Sequence, residues 1–264
     1  MGKDALNVVV LDGTVARATA PFKTRTNAPI RSLKLSNGAV VEGTDNHLHK
    51  RVPVVARRDG GKRPGKLKNA EWVELRGFSV GDYIGFQLVD VHKNAELDQS
   101  EYQKGAVCGW VVGDGWLRKS ECVSLCFGPH ERDTQARMES WLGIKATPHA
   151  QKPETCSVLN LNQSDSVLYR NLIGDNKFDV EWVRLQSQSF KVGWLSALFT
   201  ADGAIRRHKG KGGCELYSAH RKLLLFVQSL LAEFGVYSSV LLHNNARTYV
   251  AIDGKVRNNT NSIS

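Results

Sequence analysis

The chain has 264 residues, 41% apolar and 23% charged, a length that fits one large domain or two modest ones and a composition that excludes collagen-like, low-complexity and extended coiled-coil chains. Thirty-six Lys and Arg stand against 26 Asp and Glu, a net charge of +10, which is the footprint of a protein that works on nucleic acid, with a plain basic surface as the alternative. No run approaches the roughly 18 consecutive apolar residues of a membrane span, so membrane-embedded classes are set aside.

Met1 to Asn7 lacks the charged-then-apolar layout of a signal peptide, and the expectation is a soluble, intracellular chain. Residues 8 to 42 read as all-β. Val8 to Leu11 is a strand ending at Asp12-Gly13, and Ile30 to Leu35 alternates before Asn37-Gly38, a dipeptide that suits a tight hairpin because both positions accept positive φ; Val40-Val41 returns. Lys50 to Lys68 holds eight Lys or Arg and one acid, Asp59, with Gly60-Gly61 and two prolines, and is expected to be an exposed, mobile, positive loop. Trp72 to Leu75 and Asp82 to Val89 resume strand character. The polar stretch Asp90 to Ser100 is the expected linker.

Beyond residue 100 the texture changes. Gly105 to Trp116 and Ser189 to Ala204 read as apolar helices, each followed by short β-rich stretches and an amphipathic helix. Five cysteines at irregular spacings argue against a disulfide framework; Cys122 and Cys126 share one face of a strand-like run and read as buried thiols, with a metal site as the alternative.

The most informative feature is a repeat, Val107-Cys-Gly-Trp-Val-Val-Gly-Asp114-Gly115 and Leu195-Ser-Ala-Leu-Phe-Thr-Ala-Asp202-Gly203. Gly109 with Gly113, and Ala197 with Ala201, recur four apart, so each pair lies on one helical face and lets two backbones approach. Gly115 and Gly203 fit the left-handed position that ends a helix, which places Asp114 and Asp202 in the last turns, side by side. Two carboxylates at helix C-termini face the negative ends of both dipoles and repel one another, so a positive group should sit between them. A divalent cation bound by carboxylates, waters and substrate phosphates answers this, and Mg²⁺ suits the setting. The alternative is that Asp-Gly simply terminates two unrelated helices. The texture downstream repeats as well: a strand at Cys122 to Phe127 and a helix Glu131 to Leu142 ending at Gly143, then a strand at Cys214 to Tyr217 and a helix Arg221 to Phe234 ending at Gly235. Cys156 to Asn162 likewise matches Thr248 to Asp253.

These paired Asp-Gly helices, 88 residues apart (202 − 114), resemble the single-chain LAGLIDADG homing endonucleases over roughly residues 100 to 260. The resemblance implies a metal-dependent nuclease in which each motif's aspartate, Asp114 or Asp202, serves the metal (Mg²⁺ or Mn²⁺) that activates water for cleavage of one strand. Gly113 and Ala201, just before them, join the expected metal site. It also implies β-sheets of both halves lying in the DNA major groove. Lysines assist in this family, and Lys177, after the helix Ser164 to Ile173, fits; an exposed, solvated lysine is the alternative. Lys255 is the substitute in the second half, where the equivalent offset runs past the last residue. Arg118 and Lys119, and Arg206, Arg207, Lys209 and Lys211 around the glycines after the second motif, are the expected phosphate contacts.

Gly43-Thr44-Asp45-Asn46-His47 resembles the Thr-x-x-His block of Hint domains, the self-splicing part of inteins, and Trp72 to Leu75 with Gly81 to Ile84 resembles the segment that precedes an inserted endonuclease. The resemblance assigns Thr44 and His47 to activation of a splice-junction peptide bond. Neither junction is present: the chain opens Met1-Gly2-Lys3 and ends Asn261-Ser262-Ile263-Ser264, which reads as an intein fragment.

The expected architecture is α+β: a partial all-β Hint-like domain over residues 1–95, with its basic loop at 50–68, then an endonuclease domain over 96–264. That domain would comprise two pseudo-symmetric αββαββα-type halves, about 100–185 and 186–264, packed through the paired helices. The expected function is intein-encoded, site-specific cleavage of both strands of double-stranded DNA at a long target site; a cleavage-deficient DNA-binding module or a split-intein splicing component is the alternative. Further expectations are a monomer, no membrane partner, complementary intein fragments as possible partners, and a cytoplasmic location or one at a nucleoid or organelle.

Overall fold

A computed structural model of the chain describes residues 6–9, 15–18, 26–53, 69–85, 96–118, 121–208, 211–241, 248–250 and 256–258. The chain divides into two compact units, Met1–Val91 with Ala232–Ser239, and His92–Leu231 with Val240–Ser264.

In the first unit β1 (Leu6–Val9) pairs antiparallel with β2 (Val15–Ala18), and β3 (Ile30–Lys34) with β4 (Val40–Thr44). The β3–β4 connection differs from the expected two-residue turn. Leu35 N donates to Ala39 O at 2.8 Å, leaving Ser36, Asn37 and Gly38 as a three-residue loop. Only Gly38 takes a positive φ, +86°, while the Asn37 side chain accepts from Ala39 N at 3.1 Å. One left-handed residue therefore suffices, the pattern of a type I turn closed by a glycine bulge.

The strand β5 (Leu48–Val52) lies between β6 (Glu71–Glu74) and β7 (Tyr83–Ile84), antiparallel to both. Lys50 to Val52 thus belong to a strand rather than to a loop, and residues 54–68 and 86–95 lie outside the described residues. Arg51 is not a free loop charge: its guanidinium reaches Glu71 Oε1 at 2.6 Å and Gly77 O at 2.6 Å. A short 3₁₀ turn, Leu75–Gly77, ends β6 one residue earlier than its apolar run suggests, and Leu75 is fully buried. Gly43 packs against it, since a Cβ there would stand 2.8 Å from Leu75 Cδ1.

The second unit opens with α1 (Gln99–Val112), followed by β8 (Gly115–Leu117), β9 (Val123–Phe127), α2 (Arg132–Leu142), β10 (Thr147–Pro148), β11 (Ser157–Asn160) and α3 (Gln163–Ile173). It continues with α4 (Gln188–Asp202), β12 (Gly203–His208), β13 (Lys211–Leu216), α5 (Arg221–Glu233, of which Ala232 and Glu233 fall in the first unit), β14 (Thr248–Val250) and β15 (Val256–Asn258). The helix α1 starts six residues before the apolar run, because the Asp98 carboxylate caps it by accepting from Ser100 N at 2.9 Å and Glu101 N at 3.1 Å. Ser187 caps α4 similarly, accepting from Phe190 N at 3.2 Å. Gly143 and Gly235, with φ of 64° and 71°, follow α2 and α5 in the left-handed conformation that ends helices.

The strands β10-β11-β9-β8 form an antiparallel sheet in that order, whereas β12–β13 and β14–β15 are hairpins. One face of the sheet meets the helices: Phe127 stacks on Trp110 of α1 at 5.0 Å, Ser157 Oγ donates to Gln135 of α2 at 2.7 Å, and Val123 N donates to Ser166 Oγ of α3 at 3.2 Å. Val123, Leu125, Phe127 and Leu159 are buried there.

The helices α1 and α4 pack in parallel with their backbones in contact. A Cβ on Gly105 would stand 2.0 Å from Phe190 O, one on Gly109 2.2 Å from Trp194 O, and one on Gly113 2.6 Å from Ala201 Cβ. From the other side, a Cβ on Gly193 would meet Tyr102 O at 2.0 Å. The partner numbers rise together along both helices, which sets the parallel sense. Gly105 and Gly193 extend the small-residue stripe beyond Gly109, Gly113, Ala197 and Ala201, and Ala197 is buried within α4.

Of the cysteines, Cys108 alone is buried among the described residues; Cys122, Cys126 and Cys156 are half-buried, Cys214 is exposed, and all five are free thiols. Cys122 precedes β9 rather than lying in it. Among the described residues no helix is long and apolar enough to cross a membrane.

Candidate catalytic site at the ends of the paired helices

Both motifs end in a strand. Asp114 lies in the turn that closes α1, directly after its cap Gly113, and Asp202 is the last residue of α4. Gly115 and Gly203 are not left-handed helix caps: Gly203 is extended, at φ −91° and ψ 163°, and both glycines begin strands. Their requirement is steric instead. A Cβ on Gly203 would lie 2.2 Å from Phe199 O, and one on Gly115 2.5 Å from Val111 Cα. Each strand therefore doubles back against its own helix with no room for a side chain.

The local pairing is alike in the two motifs. Gly115 opposes Leu125 and Gly203 opposes Leu216 in the following strand. The next residue on, Cys126 or Tyr217, donates its N–H to the carbonyl of Asp114 or Asp202, at 2.9 and 3.5 Å. With both aspartate carbonyls engaged by strands, the two carboxyl groups project at the same end of the helix pair. A Cβ on Gly113 would lie 3.5 Å from Asp202 Oδ2, which measures how near the second carboxylate comes to the first motif.

Burial, the charge of Asp202 and that of Glu131 push the Asp114 carboxyl up to about 6, against a smaller opposing pull from Lys177. Burial also raises Asp202, opposed by Lys177 and reinforced by Glu131. The charge of Asp202 is one of the causes that favour the protonated form of Asp114. Glu131, whose Oε2 accepts from Gly128 N at 2.6 Å just before α2, is a third acidic group acting on both aspartates. The repeat did not reveal it, because it has no counterpart at the matching place in the second copy.

Lys177 answers the need for positive charge that the sequence poses. Its ammonium donates to the carbonyls of Val111, Gly113 and Gly115 at 3.2, 3.0 and 2.8 Å. It therefore closes the free carbonyl end of α1 and brings a cation to both carboxylates. Burial lowers its pKa, while Asp202 and Asp114 push it back up. Part of the positive charge that the acidic pair calls for is therefore supplied by the chain itself, through the Lys177 ammonium.

The donor set fits a hydrated divalent cation. Three carboxylates against one ammonium leave an excess of negative charge, and Asp114 and Asp202 are half-buried oxygen ligands. Among the described residues no three His, Cys, Asp or Glu side chains converge as a ligand set. The fit is therefore to an ion that keeps waters and takes its remaining ligands from substrate phosphates, as Mg²⁺ does.

Other expected residues fall as follows. Arg118 is exposed, with its guanidinium 5.6 Å over the Trp116 ring. Arg206 and Arg207 lie in β12 opposite Gly213 and Gly212, and Lys211 opens β13. Lys119, Lys209 and Lys255 lie outside the described residues. In the first unit Thr44 ends β4, His47 N donates to its carbonyl at 2.9 Å, and the His47 ring lies 5.0 Å from that of His49, so the Thr-x-x-His block forms the β4–β5 turn.

Residues 189–260 match a family described as LAGLIDADG-like domain. Two curated proteins are similar over most of the chain: ribonucleoside-diphosphate reductase NrdEB subunit alpha of Bacillus subtilis (strain 168), and that of Bacillus phage SPbeta. Each is 23% identical over 266 residues, 92% of this chain and 23% of the relative. The chain thus spans about a quarter of the length of these curated relatives. Among solved structures, I-DmoI in complex with DNA and Ca is 15% identical with a TM-score of 0.40, covering 56% of this chain and 80% of that one. I-DmoI in complex with DNA and Mn has a TM-score of 0.39 at 15% identity, over 56% and 85%.

Proposed function

We propose that the second unit is a site-specific endonuclease that cleaves both strands of double-stranded DNA with a divalent cation, Mg²⁺ or Mn²⁺. The observation that carries this reading is the juxtaposition of Asp114 and Asp202 at one end of two parallel helices in backbone contact. Asp202 falls within the stretch that matches the LAGLIDADG-like family, and the two motifs share the same Asp-Gly-strand geometry. The halves built on α1 and α4 are taken as two copies of one αββαββα plan, one for each strand of a duplex.

Asp114 and Asp202 would hold the cation, and Gly113 and Ala201, which precede them, are assigned to the same site. When bound, such an ion lowers the pKa of a water and stabilises the attacking and leaving oxygens of an in-line displacement. The chain's own part is orientation. The glycine-lined helix pair sets the distance between the carboxylates, and Lys177 holds the Gly113–Asp114–Gly115 turn. Arg118, Lys119, Arg206, Arg207, Lys209 and Lys211 supply positive charge for phosphates, and Lys255 is assigned to the second half's active site.

The test is a plasmid assay with a random-site library and Mg²⁺, read by sequencing. The native chain should linearise plasmids carrying its site, whereas Asp114→Asn and Asp202→Asn should each nick one strand and still bind. Cleavage of both strands by either variant would overturn the assignment.

A second reading concerns the first unit: we propose that it is a Hint-type splicing domain, with Thr44 and His47 at the splice-junction turn. It is favoured by the alignment of 92% of the chain with only 23% of a longer reductase subunit, the proportion of an element inserted into a host. Mixing the chain with synthetic intein termini and weighing the products tests it; absence of any ligated product would count against it.

A further inference from the structure

Among the described residues, the contacts of α1, α2 and α3 with the sheet of the second unit lie on the face of Val123, Phe127 and Ser157. By alternation along the strands, Trp116, Ser124, Cys126, Val158 and Asn160 point to the other face. Two of these are nonetheless buried: Ser124 is 0% and Val158 5% exposed. Trp116 sits on β8, one edge of the sheet, and His149 directly follows β10, the other edge. Strands lie about 4.8 Å apart, so three intervals separate these backbones by roughly 14 Å. Yet the two rings are 6.4 Å apart, centroid to centroid, and nearly perpendicular at 72°, an edge-to-face aromatic contact. The side chains must lean toward one another across β9 and β11. Beneath them Ser124 Oγ donates to Asn160 Oδ1 at 2.8 Å, and above them the exposed Arg118 guanidinium rests 5.6 Å over Trp116.

We propose that Trp116 and His149 form a clasp, closed over the outer face of this sheet in the free protein and opened by duplex DNA docking there. The inference rests on the DNA-cleaving reading and adds a conformational step to it. The occupant follows from position and charge: the clasp begins two residues after Asp114, it carries Arg118, and the chain as a whole is +10. A closed clasp lowers the fraction of binding-competent protein and so weakens apparent affinity by that fraction. The ring contact is of the size that makes this about a two- to tenfold effect.

The experiment compares the native chain with His149→Ala, using a fluorescent random-sequence duplex at low salt, and follows Trp116 by ¹⁹F NMR of 5-fluorotryptophan-labelled protein, assigned with Trp116→Phe. His149→Ala should bind about two- to tenfold more tightly. The native Trp116 signal should move on adding duplex toward the position it already occupies in free His149→Ala. Equal or weaker binding by His149→Ala, with the native Trp116 signal unmoved by a duplex that does bind, overturns the clasp and leaves the nuclease reading intact. If neither protein binds any duplex, the DNA reading fails and the clasp with it.

Discussion

Gly109 of α1 and Trp194 of α4 approach so closely that a methyl group on Gly109 would stand 2.2 Å from the Trp194 carbonyl oxygen. The obstacle is backbone, which cannot rotate aside as a side chain can. Gly109→Ala should therefore force the helices apart and destabilise the chain by at least about 2 kcal/mol. Urea unfolding followed by circular dichroism measures this; an unchanged midpoint would mean that the contact is not tight.

Lys177 makes three hydrogen bonds to carbonyls at the end of α1. Replacement by Met keeps the length and removes every donor, which should cost about 2 kcal/mol, the scale for a charged hydrogen bond, and lower the melting temperature by several degrees. Lys177→Arg should recover little, since a planar fork cannot converge on three carbonyls as an ammonium does. Native-like melting of Lys177→Met would argue that the ammonium has no structural part.

The Asp114 carboxyl, held at about 6 against an ordinary 3.8, favours the protonated form in the folded state. Its stabilising contribution is therefore fully present below about pH 4 and is lost as pH rises through 6. In the metal-free protein, Asp114→Asn should melt progressively higher than the native chain as pH goes from 4 to 7. Added Mn²⁺ should narrow that gap, because the ion competes with the proton for the same oxygens. A gap independent of pH would contradict the assigned environment.

Glu131 raises both Asp114 and Asp202 through its charge. Glu131→Gln keeps an oxygen that can accept from Gly128 N, yet removes that charge, so the Asp114 carboxyl carbon, followed by ¹³C NMR, should titrate at lower pH than in the native chain. No movement would place Glu131 outside the site.

Binding of duplex DNA should weaken with salt, log K falling by roughly 0.9 for each phosphate neutralised. Fluorescence anisotropy over a salt series reads the slope; a flat response would remove the electrostatic part of the argument.

Much of the chain was legible before folding. Residues 113–115 and 201–203 announce two helix ends with an acid at each, and stripes four residues apart disclose which faces meet, because helical periodicity is a local property. Gly143 and Gly235 mark helix ends for the same reason. Local reasoning failed where a residue's task is set by a distant neighbour. Gly115 and Gly203 looked like left-handed caps, but they are small because a strand folds back on its helix. The start of α1 at Asp98 was hidden because its first turns carry no apolar stripe.

The sequence by itself therefore determined the helix ends at Gly143 and Gly235, the excess of positive charge and the two Asp-Gly motifs. Only the tertiary structure decided what surrounds those aspartates. Lys177 lies 64 residues beyond Gly113 in the chain, yet its ammonium donates to the Gly113 carbonyl at 3.0 Å. Glu131 comes from the start of a different helix. Which charges meet depends on chain reversal through β8, β9 and the segment after α3, and electrostatic energy follows distance in space, of which spacing along the chain carries no record.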